Sequence, residues 1–259
     1  MSRFLSTMLF LLASAAAIGA DPNPLDKQYY EVRTYQLSDS ADESALDDYL
    51  KKALLPALKR IGVGPVGVFG PAESDENDQS MLVLVIPAKD ANQLAEIPAS
   101  LRSDSEYVDL ARKYMDRSGE EALFKRIRSE LLIAMDCMPR AEVPVGTLEN
   151  EDRVYELRLY ESATEKLGDL KVDMFNNGEV PIFLDCGIQP IFLGQCVLGP
   201  QAPSLTYLTV YPSEEARLEA WKKFRVHPKW QVLKKVAKYK GTVSKIDKYV
   251  LRPKPYSEM

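Results

Sequence analysis

Tyr30-Glu31-Val32-Arg33-Thr34-Tyr35 returns as Tyr155-Glu156-Leu157-Arg158-Leu159-Tyr160, a shift of 125 residues. The same shift carries Pro56 onto Pro181, Gly62 onto Gly187, Pro65 onto Pro190 and Pro87 onto Pro212. A constant offset from Tyr30 to Pro87 means two copies of one structural unit with no net insertion between these landmarks.

Working outward from the first hexapeptide, Tyr29 to Leu37 alternates as a strand. Ser40-x-x-Glu43 reads as a capping box. It opens a helix whose apolar residues Leu46, Tyr49, Leu50, Ala53, Leu54, Leu58 and Ile61 follow helical spacing. Gly62 ends this helix, and Pro56 should kink it. Val63 to Pro71 and Met81 to Ile86 read as strands, Ala91 to Leu101 and Glu106 to Arg117 as helices, and Lys125 to Met135 as a fourth strand. Pro139 to Asp152 is a linker. The second copy repeats the plan. It has a strand at Arg153 to Glu161, a capping box at Ser162-x-x-Glu165, and a helix to Cys186. Strands follow at Ile188 to Leu198 and Leu205 to Tyr211, helices at Glu214 to Phe224 and Pro228 to Tyr239, and a strand at Thr242 to Leu251.

Each β-α-β-β-α-β unit is a ferredoxin-like split βαβ, whose sheet has one face covered by helices and one bare. The bare face must be buried. Two copies in one chain solve this if their sheets pack face to face. The expected fold is therefore α+β: two tandem ferredoxin-like domains, residues 29–138 and 153–253, closed into an intramolecular dimeric α+β barrel.

The chain has 259 residues, 46% hydrophobic, with net charge −5. Without a long basic tract it is poorly suited to nucleic acid, which needs clustered Lys and Arg against phosphates. The lysine-rich stretch Lys234 to Lys248 is the local exception and reads as a solvated face. Residues 1–20 read as an export signal: Arg3, an apolar run from Phe4 to Ala17, then small residues before Asp21-Pro22. Export to a periplasmic or extracellular space is expected, with an uncleaved membrane anchor as the alternative and no stable span after cleavage. Of Cys137, Cys186 and Cys196, an exported chain could pair two. Cys186 and Cys196 are too far apart along a strand to be that pair. No metal site is expected, with no CxxC and one histidine.

Three features together resemble the NIPSNAP family. They are the second hexapeptide, the helix from Gly168 to Cys186 ending at Gly187, and Glu215-x-Arg217-x-x-x-Trp221. The first copy is similar through its own hexapeptide but lacks the Arg/Trp pair. The resemblance covers roughly 220 residues. It implies the dimeric α+β barrel, a superfamily that includes cofactor-free quinol oxygenases, isomerases and haem-handling proteins. It carries over no settled catalytic residue.

Strand parity places Glu156, Arg158 and Tyr160 on one face and Tyr155, Leu157 and Leu159 on the other; Glu31, Arg33 and Tyr35 sort the same way against Tyr30, Val32 and Thr34. The more apolar face is expected to meet the helices, so that the charged face points into the barrel. There the charges either form an ion pair that pins the interior or orient a ligand. Under the shift, Leu82, Leu84 and Ile86 become Tyr207, Thr209 and Tyr211, which predicts a pocket belonging mainly to the second copy. The candidate ligand-binding residues are Glu156, Arg158, Tyr160, Tyr207, Tyr211, Arg33 and Tyr35. His227 precedes Pro228 and reads either as a helix-start residue, as a general base near the barrel mouth, or as a haem ligand. No cofactor is expected.

Two readings of function stay open. One is a non-enzymatic binding or scaffold protein that holds a small apolar ligand in the barrel. The other is a cofactor-free oxygenase or isomerase acting on a small aromatic or quinone-like substrate.

Overall fold

The structure, a computed structural model, describes residues 27–38, 42–77 and 80–259. The leader read in residues 1–20 lies outside them, as does Ser40. Eight strands close into one antiparallel barrel. They are β1 (Tyr29–Leu37), β2 (Gly67–Pro71), β3 (Met81–Ala88), β4 (Phe124–Ala134), β5 (Val154–Glu161), β6 (Gln189–Leu198), β7 (Ser204–Tyr211) and β8 (Lys245–Pro253). Around the barrel the order is β1-β3-β2-β8-β5-β7-β6-β4. Each half of the chain thus supplies four adjacent strands in the order fourth, first, third, second.

The halves meet edge to edge. Phe69 to Pro71 pair with Leu251 to Pro253, and Leu131 to Ala134 pair with Gly194 to Leu198. This corrects the expected face-to-face stacking of two separate sheets. Such a stack would bury the bare faces but leave four edges with unpaired N–H and C=O groups, and closure pairs those edges as well. Strand β2 begins at Gly67, later than Val63, because Pro65 has no N–H to give a ladder.

The helices α1 (Glu43–Tyr49), α2 (Leu55–Arg60), α3 (Ala91–Ser103) and α4 (Ser105–Met115) cover the first half. The second half carries α5 (Glu165–Met174), α6 (Val180–Cys186), α7 (Glu214–Val226) and α8 (Pro228–Leu233). Neither expected capping box opens its helix. Asp42 caps α1 by accepting from the Ala45 N–H, and Thr164 caps α5 by accepting from Leu167. Ser162 instead donates to the Thr242 carbonyl at 2.7 Å. The expected kink at Pro56 takes the form of a π-helical turn, Leu50–Leu54, between α1 and α2. The second copy repeats it at Phe175–Glu179 before Pro181. A proline lacks the N–H that the next α-helical bond needs, and the wider turn accommodates the gap. Helix α8 stops at Leu233, six residues before the expected Tyr239, and Val236 beyond it has no core face to bury.

Three apolar cores result. One fills the barrel with residues of both halves, among them Tyr30, Val32, Phe69, Tyr155, Leu157, Phe192 and Met259. Tyr30 lies 4.8 Å from Phe192, and Phe69 4.8 Å from Tyr155, between ring centroids. Each fully buried side chain of this kind contributes roughly 1.5–3 kcal/mol. The other two cores lie between sheet and helices, one per half.

This arrangement inverts the expected parity. Tyr30, Val32, Tyr155 and Leu157 point into the barrel, while Tyr35, Tyr160, Tyr207 and Tyr211 point toward the helices. Alternation says which residues share a face; the helices decide which face they cover. Here α7 brings Arg217 and Trp221 to meet the charged face, and the large apolar side chains of both halves meet one another inside.

Candidate functional site

In the second half the charged strand face forms a closed polar lattice. Glu156 is fully buried. Its Oε1 accepts from Arg158 Nε at 2.5 Å, and its Oε2 accepts from Arg217 Nη1 at 2.5 Å and Trp221 Nε1 at 3.0 Å. Arg158 Nη1 donates to the Tyr160 hydroxyl at 2.9 Å, and that hydroxyl shares a 2.7 Å bond with Tyr207. The Arg158 guanidinium lies 3.8 Å over the Trp221 ring. Arg217 turns its other nitrogens to Glu214 at 2.7 and 2.8 Å. Tyr211 receives a bond from Thr209 at 3.1 Å, and burial, then the Glu156 charge, holds its hydroxyl well above the ordinary phenol range. A buried carboxylate with this many donors has its lone pairs satisfied. The gap between sheet and helices is filled by Phe175, Phe183, Trp221 and Phe224.

The second half also buries Lys171 against Glu179 at 2.5 Å. Lys171 lies 4.7 Å from the Phe175 ring centroid. The shift maps these two residues onto Leu46 and Leu54. Sequence reasoning missed this pair. The signal was present: Lys171 falls four residues after Leu167 and four before Phe175, on the apolar stripe of its helix.

The first half keeps the strand motif without that filling. Glu31 accepts a bidentate pair from Arg33, 2.8 and 2.9 Å, and a bond from Ser129 at 2.6 Å. On α3, which begins after Asp90 as α7 begins after Ser213, the places of Arg217, Trp221 and Phe224 are held by Leu94, Pro98 and Leu101, and those of Phe175 and Phe183 are held by Leu50 and Leu58. Smaller side chains leave a cleft of about 560 Å³ between sheet and helices. Arg33 and Tyr35 line its sheet side, and Ile97, Leu101, Tyr107, Tyr114 and Met115 its helix side. Tyr49 stacks on Tyr114 at 3.8 Å with the rings nearly parallel, and its hydroxyl meets that of Tyr107 at 3.0 Å. Burial first, then Tyr35, holds the Tyr49 and Tyr114 hydroxyls protonated well beyond the usual range. The cleft is a mostly apolar slot with three guanidinium groups, those of Arg33, Arg102 and Arg117, and several phenol groups, the make-up of a small-molecule site. The expectation that a pocket would belong mainly to the second half is corrected on this point. Tyr207 and Tyr211 use their hydroxyls within the core, and the space opens where the copy has fewer large aromatics. Tyr107 and Tyr114, which sequence reading did not single out, complete the slot.

Inside the barrel, toward the end away from the aromatic core, a second cavity of about 70 Å³ is lined by Thr34, Arg128, Glu130, Thr206, Asp247 and Tyr249, among others. At that size it is too small for the ligand expected there.

His227 lies at the junction of α7 and α8, with Nε2 3.7 Å from Asp185 Oδ2. It stands at the start of α8 before Pro228, in keeping with the helix-start reading, and lines neither of these two cavities. Cys137, Cys186 and Cys196 are all free thiols. Among the described residues no group of three or more His, Cys, Asp or Glu is placed to hold a metal ion, and no helix is long and apolar enough to cross a membrane.

Residues 155–258 match the NIPSNAP family model. No curated protein matches the chain. Among solved structures, a candidate monooxygenase from Fusobacterium nucleatum is similar at TM-score 0.56 and 14% identity, covering 88% of this chain and 92% of its own. A candidate monooxygenase from Lactobacillus acidophilus NCFM is similar at 0.55 and 12%, covering 88% and 94%. An anthrone oxidase-like protein is similar at 0.53 and 11%, covering 89% and 93%. At these identities the likeness is one of fold.

Proposed function

We propose that this chain, whose residues 155–258 form a NIPSNAP domain, is a small-molecule binding protein with its site in the first-half cleft. The two halves act as the two subunits of a dimeric α+β barrel joined in one chain. The repeated strand order and the two edge-to-edge seams support that reading. The leader-like residues 1–20 support export of the protein.

The single observation that carries the binding role is the asymmetry between the halves. The sheet-to-helix gap holds a large aromatic core in the second half and leaves a cleft beside its core in the first. The ligand is a small planar aromatic molecule carrying an oxygen. Its ring fits between Tyr114, Ile97 and Leu101, and its oxygen meets Arg33 and Tyr35. Titration with 2-hydroxy-1,4-naphthoquinone, followed by isothermal calorimetry, tests it. Saturable binding abolished by Ala122→Trp, which fills the slot from its rim, is the expected result. Binding unaffected by that substitution would place the ligand elsewhere.

The alternative is a cofactor-free oxygenase in the same cleft. One observation favours it: Arg33 places a fixed positive charge where a phenolate or enolate oxygen would lie, and such stabilised anions are what react with dioxygen. Anthrone is the natural probe given the fold neighbours. Its oxidation consumes one O₂, gives anthraquinone and releases water. Oxygen uptake that depends on Arg33 and is lost in Ala122→Trp would establish the enzyme; uptake equal to the buffer rate leaves the binding role alone.

A further inference from the structure

The segment from Lys222 to Lys240 holds eight lysines and arginines and no aspartate or glutamate, in a chain of net charge −5. Laying α7 and α8 on α3 and α4 places it over residues 99–117, where four cations are balanced by four acids. The concentration of charge is thus peculiar to the second half. All eight cations are exposed. Lys222 pairs with Glu219, Lys229 with Asp185 and Lys238 with Asp173. Lys223, Arg225, Lys234, Lys235 and Lys240 form no ion pair among the described residues.

Apolar side chains stand exposed among them: Val226 at 71%, Val232 at 70% and Val236 at 37%. Leu184 of α6 is also exposed, next in sequence to the Asp185 that holds Lys229. Trp230 is half-buried, packed against Phe224 at 4.6 Å. A solvated face accounts for the cations but not for three bare valines. Complementing the C-terminal dipole of α7 accounts for Lys223 and Arg225 but not for Lys234, Lys235 and Lys240. An anionic bilayer accounts for both: it attracts the cations to its headgroups and takes the apolar side chains into the boundary beneath them.

We propose that the corner formed by α7, α8 and the turn to Lys240 is a peripheral docking surface for an anionic lipid bilayer. The unpaired cations lie at the headgroups, and Val226, Val232 and Val236 enter the interface. The surface is separate from the first-half cleft and does not depend on its ligand. Each basic residue near such a membrane is worth about a fivefold change in partition, and the attraction is screened by salt.

Co-sedimentation of the full chain with vesicles of phosphatidylglycerol and phosphatidylcholine tests this, with phosphatidylcholine vesicles alone giving the share owed to residues 1–20. The anionic vesicles should bind the protein more tightly. The Arg225→Glu/Lys234→Glu/Lys235→Glu variant should lose on the order of 100-fold of that excess. Val226→Ser/Val232→Ser should weaken vesicle binding several-fold at raised salt while leaving binding to heparin unchanged. All these side chains are exposed, and circular dichroism confirms that the variants fold. Equal sedimentation with both vesicle types overturns the proposal. So does insensitivity of vesicle binding to the serine pair, which would mark a general polyanion site, or duplex RNA binding tighter than the vesicles, which would mark a nucleic-acid site.

Discussion

Lys171 donates to Glu179 at 2.5 Å inside the second-half core, at the positions that Leu46 and Leu54 occupy in the first. Both residues are nearly fully buried. The chain therefore contains its own comparison of a buried ion pair with an apolar pair on one scaffold.

Lys171→Leu alone leaves the Glu179 carboxylate buried without its partner and should cost about 3–5 kcal/mol. Lys171→Leu/Glu179→Leu recreates the first-half pair and should recover most of that loss, ending within about 1 kcal/mol of the parent or above it. Urea unfolding of the three proteins measures this. A double variant as unstable as the single one would mean that the pair is needed for more than mutual neutralisation.

The two copies of the strand motif should respond differently to the same change. Glu156 has no exposure and holds Arg158, Arg217 and Trp221, whereas the Glu31 and Arg33 side chains keep 16% and 21%. Glu156→Gln should destabilise by about 3 kcal/mol or more, and by changing the partner of the Trp221 indole it should shift tryptophan emission. Glu31→Gln should cost about 1 kcal/mol or less, since this pair lies at the wall of an open cleft where water partly screens it. Equal losses in thermal unfolding would contradict this division into a core lattice and a site wall.

How far the site can be read from the sequence follows from these same residues. The hexapeptide repeat and its constant offset give the strand order twice, and the closed barrel follows from the need to bury a face and pair the edges. Alternation groups Glu156, Arg158 and Tyr160 correctly. It carries no information on whether helices or barrel interior lie opposite, because that depends on Arg217 and Trp221, about sixty residues away. The cleft is harder still. It arises from what the first half lacks, the bulk of Trp221 and Phe224 at the places of Pro98 and Leu101, and an absence registers only when the two copies are overlaid in space.

Occupancy of the cleft should be visible as stability. A ligand that binds only the folded chain raises the unfolding free energy by about 2.7 kcal/mol at one hundred times its Kd. Thermal unfolding with 2-hydroxy-1,4-naphthoquinone should therefore shift upward in the parent and stay flat in Ala122→Trp. Arg33→Gln should weaken the anionic ligand about tenfold or more while changing little for naphthalene, which has no oxygen to place. If both probes lose affinity alike, Arg33 acts through the shape of the wall and not through its charge.

Glu130 gives a pH signature independent of any ligand. It is 8% exposed and lines the barrel cavity, with Thr206 donating to it at 2.9 Å. Burial pushes its carboxyl above the ordinary glutamate range, the Thr206 bond opposes this, and Asp247 across the cavity adds to it. Between the unfolded value and this raised one, the folded chain binds more protons than the unfolded chain, so this group makes stability fall as pH rises through that window. The penalty is fully present above the folded value and absent below the unfolded one. Glu130→Gln removes the charge and keeps the shape. It should unfold at a higher temperature than the parent at pH 7, with the gap closing as pH falls to the ordinary carboxylate range. Melting curves of the two proteins from pH 4 to pH 8 check the sign: a gap that widens toward acid would mean that Arg128, which lines the same cavity, stabilises the Glu130 carboxylate by more than burial and Asp247 penalise it.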